Sequence, residues 1–249
     1  MIFSDLHTHS FYCDGKNSPE EMVLSAIKKG LKKIGIVIHA YIPDATYCVK
    51  LDKIEEFKKE IKRLKEKYFG KIEVLCGVEM DLYSNMSTDG FDYIIGSVHY
   101  FSVNGKLFDV DYNSLDFEKT IKEQFDGDYY SATENYFSSV GKICEIVKPN
   151  IIGHLDLVSK FNENNKFFDE KNPRYERAWK GAVDKLLKYN IPFEINLGAI
   201  SRGYKSMPYP SLDMIKYIKE NGGKFILSSD AHIKNDIAKN YIDWAYLVK

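Results

Sequence analysis

The sequence predicts an α/β protein built on parallel strands, with a (β/α) barrel favoured over an open doubly wound sheet. Three observations carry this. Seven short apolar runs rich in Ile and Val recur along the 249 residues, and helical periodicity fills most of the gaps between them. No glycine-rich phosphate fingerprint follows the first run, as it would in an open nucleotide-binding sheet. Most runs end on or beside a polar residue, which is where the carboxyl ends of barrel strands gather on one face.

The runs are Ile2–Asp5, Lys33–Ile38, Ile72–Val78, Tyr93–Val98, Ile151–Gly153, Phe193–Leu197 and Lys224–Ser228, each of strand length. The first helix is signposted by Ser18-Pro19-Glu20-Glu21. Ser18 serves as N-cap, Pro19 opens the first turn, Glu21 closes a capping box, and Gly30 ends the helix. Ile54, Phe57, Ile61, Leu64 and Tyr68 repeat at helical spacing and mark a second helix. Further helices are expected over Thr133–Val147, Arg174–Tyr189, Leu212–Glu220 and Asn235–Leu247. The Asp-, Asn- and aromatic-rich stretch Ser102–Asp128 reads as a long loop that covers a site.

Composition narrows the function. The chain is 44% hydrophobic and 29% charged, enough apolar material for a large core in one domain spanning residues 1–249. Thirty-five basic residues against thirty-six acidic ones leave a net charge of −1, so no basic footprint for nucleic acid or an anionic membrane is present. The longest stretch free of Asp, Glu, Lys and Arg is Tyr93–Gly105, thirteen residues, short of the roughly 20 a spanning helix needs. The opening MIFSDLHTHS begins directly with structure, and no signal peptide is expected. Cys13, Cys48, Cys76 and Cys144 are scattered, which suits free thiols in the cytoplasm.

The six histidines share one topological position. His7 and His9 follow the first run, His39 the second, His99 the fourth, His154 the fifth and His232 the last. Glu79 follows the third run, and Asp230 precedes His232. A lone histidine after a strand is an ordinary loop residue, and His-x-His alone is a weak signal. All of the chain's histidines at strand ends, with two carboxylates, is a different matter. Imidazole and carboxylate without thiolate suit Zn, Mn or Fe. So many donors exceed one tetrahedral ion, which implies two or three divalent metals. Such a cluster polarises an oxyanion and acidifies water.

Asp5-Leu6-His7-Thr8-His9-Ser10, His39, Gly77-Val78-Glu79, Gly96-Ser97-Val98-His99, Gly153-His154-Leu155-Asp156 and Ser229-Asp230-Ala231-His232 together resemble the PHP (polymerase and histidinol phosphatase) family, in its histidinol-phosphatase branch. The resemblance covers nearly the whole chain. It implies a distorted (β/α)7 barrel and a trinuclear metal centre. By motif, His7, His9, Glu79 and Asp230 would hold one metal. Glu79 would bridge to a second, held also by His99 and His154. Asp14, His39 and His232 would hold the third, with Asp14 standing where many relatives have His.

The substrate class comes from the cations. Of the four arginines, Arg63, Arg174 and Arg177 read as solvated helix residues, whereas Arg202 follows the sixth run on the catalytic face. A guanidinium grips phosphate bidentately, so Arg202 is the expected phosphate ligand and Lys160 a weaker candidate. Asp230 and His232 stand nearest the chemistry, but their expected role as ligands leaves the general acid unassigned. The expected activity is metal-dependent hydrolysis of a small-molecule phosphate ester, L-histidinol phosphate. Another small phosphate ester or nucleotide, or a non-catalytic metal-binding role, are the alternatives.

Overall fold

The computed structural model describes residues 4–248. The chain order is β1 (Ser4–His9), α1 (Pro19–Lys28), β2 (Lys33–His39), α2 (Ile54–Lys67), β3 (Glu73–Asp81), β4 (Tyr93–Ser97), the hairpin β5 (Tyr100–Val103) and β6 (Lys106–Asp109), α3 (Ser114–Gln124), α4 (Tyr129–Val140), α5 (Ile143–Ile146), β7 (Ile151–Ile152), α6 (Pro173–Leu187), β8 (Phe193–Asn196), α7 (Gly198–Arg202), α8 (Leu212–Glu220), β9 (Phe225–Ser228) and α9 (Tyr241–Trp244). Seven strands form one parallel sheet in the order β1-β2-β3-β4-β7-β8-β9. A single parallel bridge from Thr8 to Ala231 joins the two ends, with the His9 N–H donating to the Ala231 carbonyl at 2.8 Å. The sheet is therefore a nearly closed, distorted barrel, as the alternation of apolar runs and helices predicts.

Strand parity decides what the barrel encloses. Ile34, Ile36 and Ile38 of β2, with Val74, Cys76 and Val78 of β3, pack outward against Met22, Val23 and Phe57 of α1 and α2. The alternate residues face inward. Val37, Tyr93, Ile95 and Ile151 plug the interior with Leu6, Leu75 and Ile226. The Tyr93 ring occupies space that only glycine leaves open. A Cβ on Gly35 would fall 2.0 Å from its hydroxyl, and one on Gly77 2.4 Å from its ring. Above that plug the same inward rows continue into polar side chains: His39 on β2, Glu79 and Asp81 on β3, and Glu194 and Asn196 on β8. The site is thus the upper end of the barrel interior.

Several elements differ from expectation. Ile2 and Phe3 of the first run lie outside the described residues, and β1 continues past Asp5 through both histidines. Ser102–Asp128 is not a loop. Asn104 and Gly105 both take positive φ (51° and 75°), forming the two-residue turn that matches the twist of paired strands, and Asn113 caps α3 through its side chain. The expected helix Thr133–Val147 starts at Tyr129 behind the cap Asp128 and breaks at Gly141 into α4 and α5. The expected helix Asn235–Leu247 is interrupted because Ala238 and Asn240 have φ of 49° and 63°, which a right-handed helix does not accommodate. Arg202, which follows the sixth run, ends a short helix, α7.

Candidate metal centre

The structure brings all nine candidate ligands together. Glu79 is their hub. Its carboxylate divides the imidazoles between its two oxygens. Oε1 lies 2.8 Å from His154 Nε2 and 3.4 Å from His99 Nε2. Oε2 lies 3.0 Å from His39 Nδ1, 3.1 Å from His7 Nε2 and 3.5 Å from His9 Nε2. Ser97 Oγ donates to Oε1 at 2.8 Å. Asp230 turns Oδ1 toward His9 Nε2 at 3.4 Å and His7 Nε2 at 3.7 Å. Asp14 lies against His232 Nε2 at 3.1 Å through Oδ2, and against His39 Nε2 at 3.5 Å through Oδ1.

These contacts resolve into three sets of donor atoms, each confined within 4.8 Å: His9, Asp14, His39 and His232; His7, His9 and Asp230; and His39, Glu79 and His99. His9 and His39 each belong to two of them. Its ring is stacked between those of His39 and His232, at centroid separations of 4.3 and 4.2 Å. His154 joins through Glu79 alone.

The electrostatics fit cations. Burial, with His232 and His39 alongside, lowers the His9 pKa to about 3, so its imidazole is neutral with lone pairs available. Its Nε2, Asp14 Oδ1 and His154 Nδ1 are buried without hydrogen-bond partners, and an unpaired buried donor or acceptor is costly. Burial pulls the His7 pKa down, but Glu194, Glu79 and Asp230 together raise it well above the usual value. Carboxylates that force a buried imidazole to hold its proton mark a place short of positive charge. Neutral imidazoles, carboxylates and orphaned buried donors are the set that a borderline divalent ion requires.

Around this layer lies a second one that the sequence reading missed. Glu194 on β8 takes His7 Nδ1–H at 2.6 Å, and its other oxygen accepts from the His154 N–H at 2.9 Å and from Asn196 Nδ2 at 3.0 Å. Asp81 accepts from the ring Nδ1–H of His99 at 3.0 Å and from its backbone N–H at 2.8 Å. Such partners fix ring orientation and leave Nε2 for the ion. Asp5 anchors the last loop, accepting from Ser229 Oγ at 2.5 Å and the Ala238 N–H at 3.0 Å. Asp230 then takes a positive φ of 50°, which turns its carboxylate inward.

Arg202 closes one side. Its Nη2 meets Asp230 Oδ2 at 3.1 Å. Its Nη1 donates to the Asp230 carbonyl at 3.0 Å and lies 3.0 Å from His232 Nδ1. Gly198 permits this approach, since a Cβ there would be 2.7 Å from both Arg202 Nη2 and Asp230 Oδ2. Lys160 lines the same cavity, but its ammonium is held by Asp111, at 2.7 Å from the carbonyl and 3.0 Å from Oδ2. The cavity has a volume of about 390 Å³ and opens over His39, His99, His154, Asp230 and His232.

A family model described as the PHP domain matches residues 5–197. The chain belongs to the PHP family. Among its relatives, a histidinol-phosphatase of Bacillus subtilis is 24% identical and aligns over 95% of this chain and 96% of its own. A solved structure from Listeria monocytogenes, provisionally named a histidinol phosphatase, superposes with a TM-score of 0.84 at 23% identity, covering 97% of this PHP chain and 99% of its own. The histidinol phosphate phosphatase of Lactococcus lactis, solved with zinc, L-histidinol and phosphate, superposes with a TM-score of 0.72 at 22% identity, covering 98% and 92%. Among the described residues, no helix of this PHP protein is long and apolar enough to cross a membrane.

Proposed function

We propose that this protein is a metal-dependent phosphomonoesterase that hydrolyses L-histidinol phosphate to L-histidinol and phosphate. The observation that carries the reading is the meeting of nine ligand-type side chains in one cluster, six of which line a cavity of about 390 Å³ together with the Arg202 guanidinium. The substrate is favoured by the full-length relation to a Bacillus subtilis histidinol-phosphatase and by the Lactococcus lactis neighbour that holds L-histidinol and phosphate.

The centre is proposed to be trinuclear, filled by zinc, manganese or iron. His7, His9, Glu79 and Asp230 would hold one ion. Glu79, His99 and His154 would hold the second, and Asp14, His39 and His232 the third. The split of imidazoles between the Glu79 oxygens supports its bridging role. The His9 ring, shared between two donor sets, sits where two ions would be neighbours. Ions bound there supply Lewis-acid polarisation of a phosphoryl oxygen and lower the pKa of water.

The chain's own residues bind and orient. A guanidinium has five N–H donors, and two of those of Arg202 are taken by Asp230, whose carbonyl also accepts from His232 Nδ1. The free edge of the guanidinium is proposed to take the substrate phosphate, on a fork held by Asp230, which also belongs to the proposed metal layer. In this way Asp230 would position the phosphate clamp. Lys160 carries further positive charge on the same wall. The β5–β6 hairpin and the segment that follows supply Asp109, Asp111 and Tyr112 to the cavity edge, and they shield the ester from bulk water. The four cysteines are unpaired, in keeping with a cytoplasmic enzyme.

Phosphate release from a panel of phosphomonoesters tests the reading. L-Histidinol phosphate is expected to have the highest kcat/KM. Equal turnover across the panel would reject the substrate, and no turnover would reject the activity.

A further inference from the structure

The cavity that receives a phosphate has an uncompensated carboxylate on its edge. Asp109 is the last residue of β6, and its partner across the hairpin is Tyr100. Directly paired residues stand on the same face of a two-stranded sheet. That face is the one toward the site: the Tyr100 hydroxyl meets the Tyr47 hydroxyl at 2.6 Å, and the Tyr47 ring is 4.9 Å from that of His39. Leu107, two residues before Asp109, packs in the same small cluster. Phe101 and Phe108, of opposite parity, pack into the large core instead. The register therefore aims Asp109 at the cavity, which it lines together with Tyr47 and His99.

The cations of that cavity leave Asp109 alone. Lys160 is held by Asp111 and Arg202 by Asp230. Lys16, in the loop after β1, makes no ion pair with it, and Asp109 has no ion-pair partner among the described residues. It stands on the solvent-exposed end of β6, and partial desolvation at the cavity edge with the nearby Asp111 pushes its carboxyl pKa up, with His99 pulling the other way. A free carboxylate beside a phosphate site repels a dianionic ester. Such a wall discriminates in favour of a bound molecule that brings a cation of its own.

We infer that Asp109 selects phosphomonoesters that carry a cationic amine near the ester oxygen, by accepting a hydrogen bond from the ammonium. The inference rests on the phosphomonoesterase reading above and names the residue that narrows it. In L-histidinol phosphate the ammonium sits on the carbon adjacent to the esterified CH2. The phosphate is drawn to the ions and Arg202, and the ammonium is left facing the hairpin wall. Esters without the amine meet the same carboxylate as a repulsive element.

The test compares wild type, Asp109→Asn and Asp109→Lys on two matched pairs of esters. One pair is L-histidinol phosphate and its des-amino analogue, 3-(imidazol-4-yl)propyl phosphate. The other is 2-aminoethyl phosphate and ethyl phosphate. A hydrogen bond to a charged group is expected to make the amine-to-des-amino ratio of kcat/KM fall about 10- to 100-fold in Asp109→Asn. Asp109→Lys should invert the ratio, because the des-amino esters gain. Metal content and melting temperature confirm that each variant is folded and loaded. An unchanged ratio, or equal losses within each pair, overturns the inference. A wild type that ignores L-histidinol phosphate but shows the ratio change on the aminoethyl pair would reject the histidinol reading and sustain the role of Asp109. No turnover of any of the four esters overturns both.

Discussion

Replacing Glu79 with Gln isolates charge from shape. The side chain is 1% exposed and touches five imidazoles at 2.8–3.5 Å, so the isosteric amide keeps the packing and removes the carboxylate. At 3 Å and an effective dielectric near 20, one opposite unit charge beside a carboxylate contributes about 5 kcal/mol. Rehydration and rearrangement recover part of this, and a net loss of about 3 kcal/mol corresponds to roughly 100-fold weaker binding of each ion that Glu79 contacts. The amide also presents an N–H2 donor to one of the two imidazole groups, where an acceptor is required. The expected result is a variant that folds, loses metal on dialysis against a weak chelator and has no measurable turnover. Elemental analysis of the dialysed protein, with kcat/KM on the same samples, reads both effects. Full metal occupancy with wild-type turnover would refute the bridging assignment and the reasoning behind it.

Asp14→Ala is expected to lose about one metal equivalent while the others stay, and Asp14→His to retain it; elemental analysis that finds neither change would reduce Asp14 to a loop acid. Arg202→Ala should lower kcat/KM about 30- to 1,000-fold. Metal content should hold, because Asp230 keeps Oδ1 toward the histidines and gives Arg202 only Oδ2 and its carbonyl. Arg202→Lys should recover part of the loss, and wild-type kinetics in Arg202→Ala would move the phosphate contact to Lys160. Burial raises the Asp156 pKa from 3.8 to about 6 against the pull of Lys205. The folded state therefore holds this proton more tightly than the unfolded one. The stability it contributes is complete below pH 3.8 and is lost as pH rises through 6, by about 3 kcal/mol. Asp156→Asn should gain on wild type in melting temperature across that interval, and a constant difference between the two proteins would show that Asp156 does not titrate there.

The clustering of the proposed metal ligands was legible because most are rare, chemically marked residues at the end of an apolar run, and a barrel sends all such ends to one face. The residues behind them were not. Glu194 lies inside the run Phe193–Leu197, and its significance depends on parity, which a short apolar run does not reveal. Once the inward face of β8 is known, an acid at that position among Phe193 and Ile195 is the signal. Asp81 was hidden because β3 runs three residues beyond the expected strand end. The hairpin carried a readable mark in Asn104-Gly105, obscured by the polar and aromatic residues after it. The break before α9 had none, since a positive φ at Ala238 is imposed by the tertiary anchoring of Ile237 and Tyr241 in neighbouring cores.

The most direct measurement of the central claim is a metal titration of the stripped protein, with phosphate release from L-histidinol phosphate followed beside bound-metal stoichiometry for zinc, manganese and iron in turn. The account predicts no release from the stripped protein and activity that returns in step with occupancy, reaching its plateau only when the full centre is loaded. Undiminished release from metal-free protein, or complete loading that restores none, would contradict it.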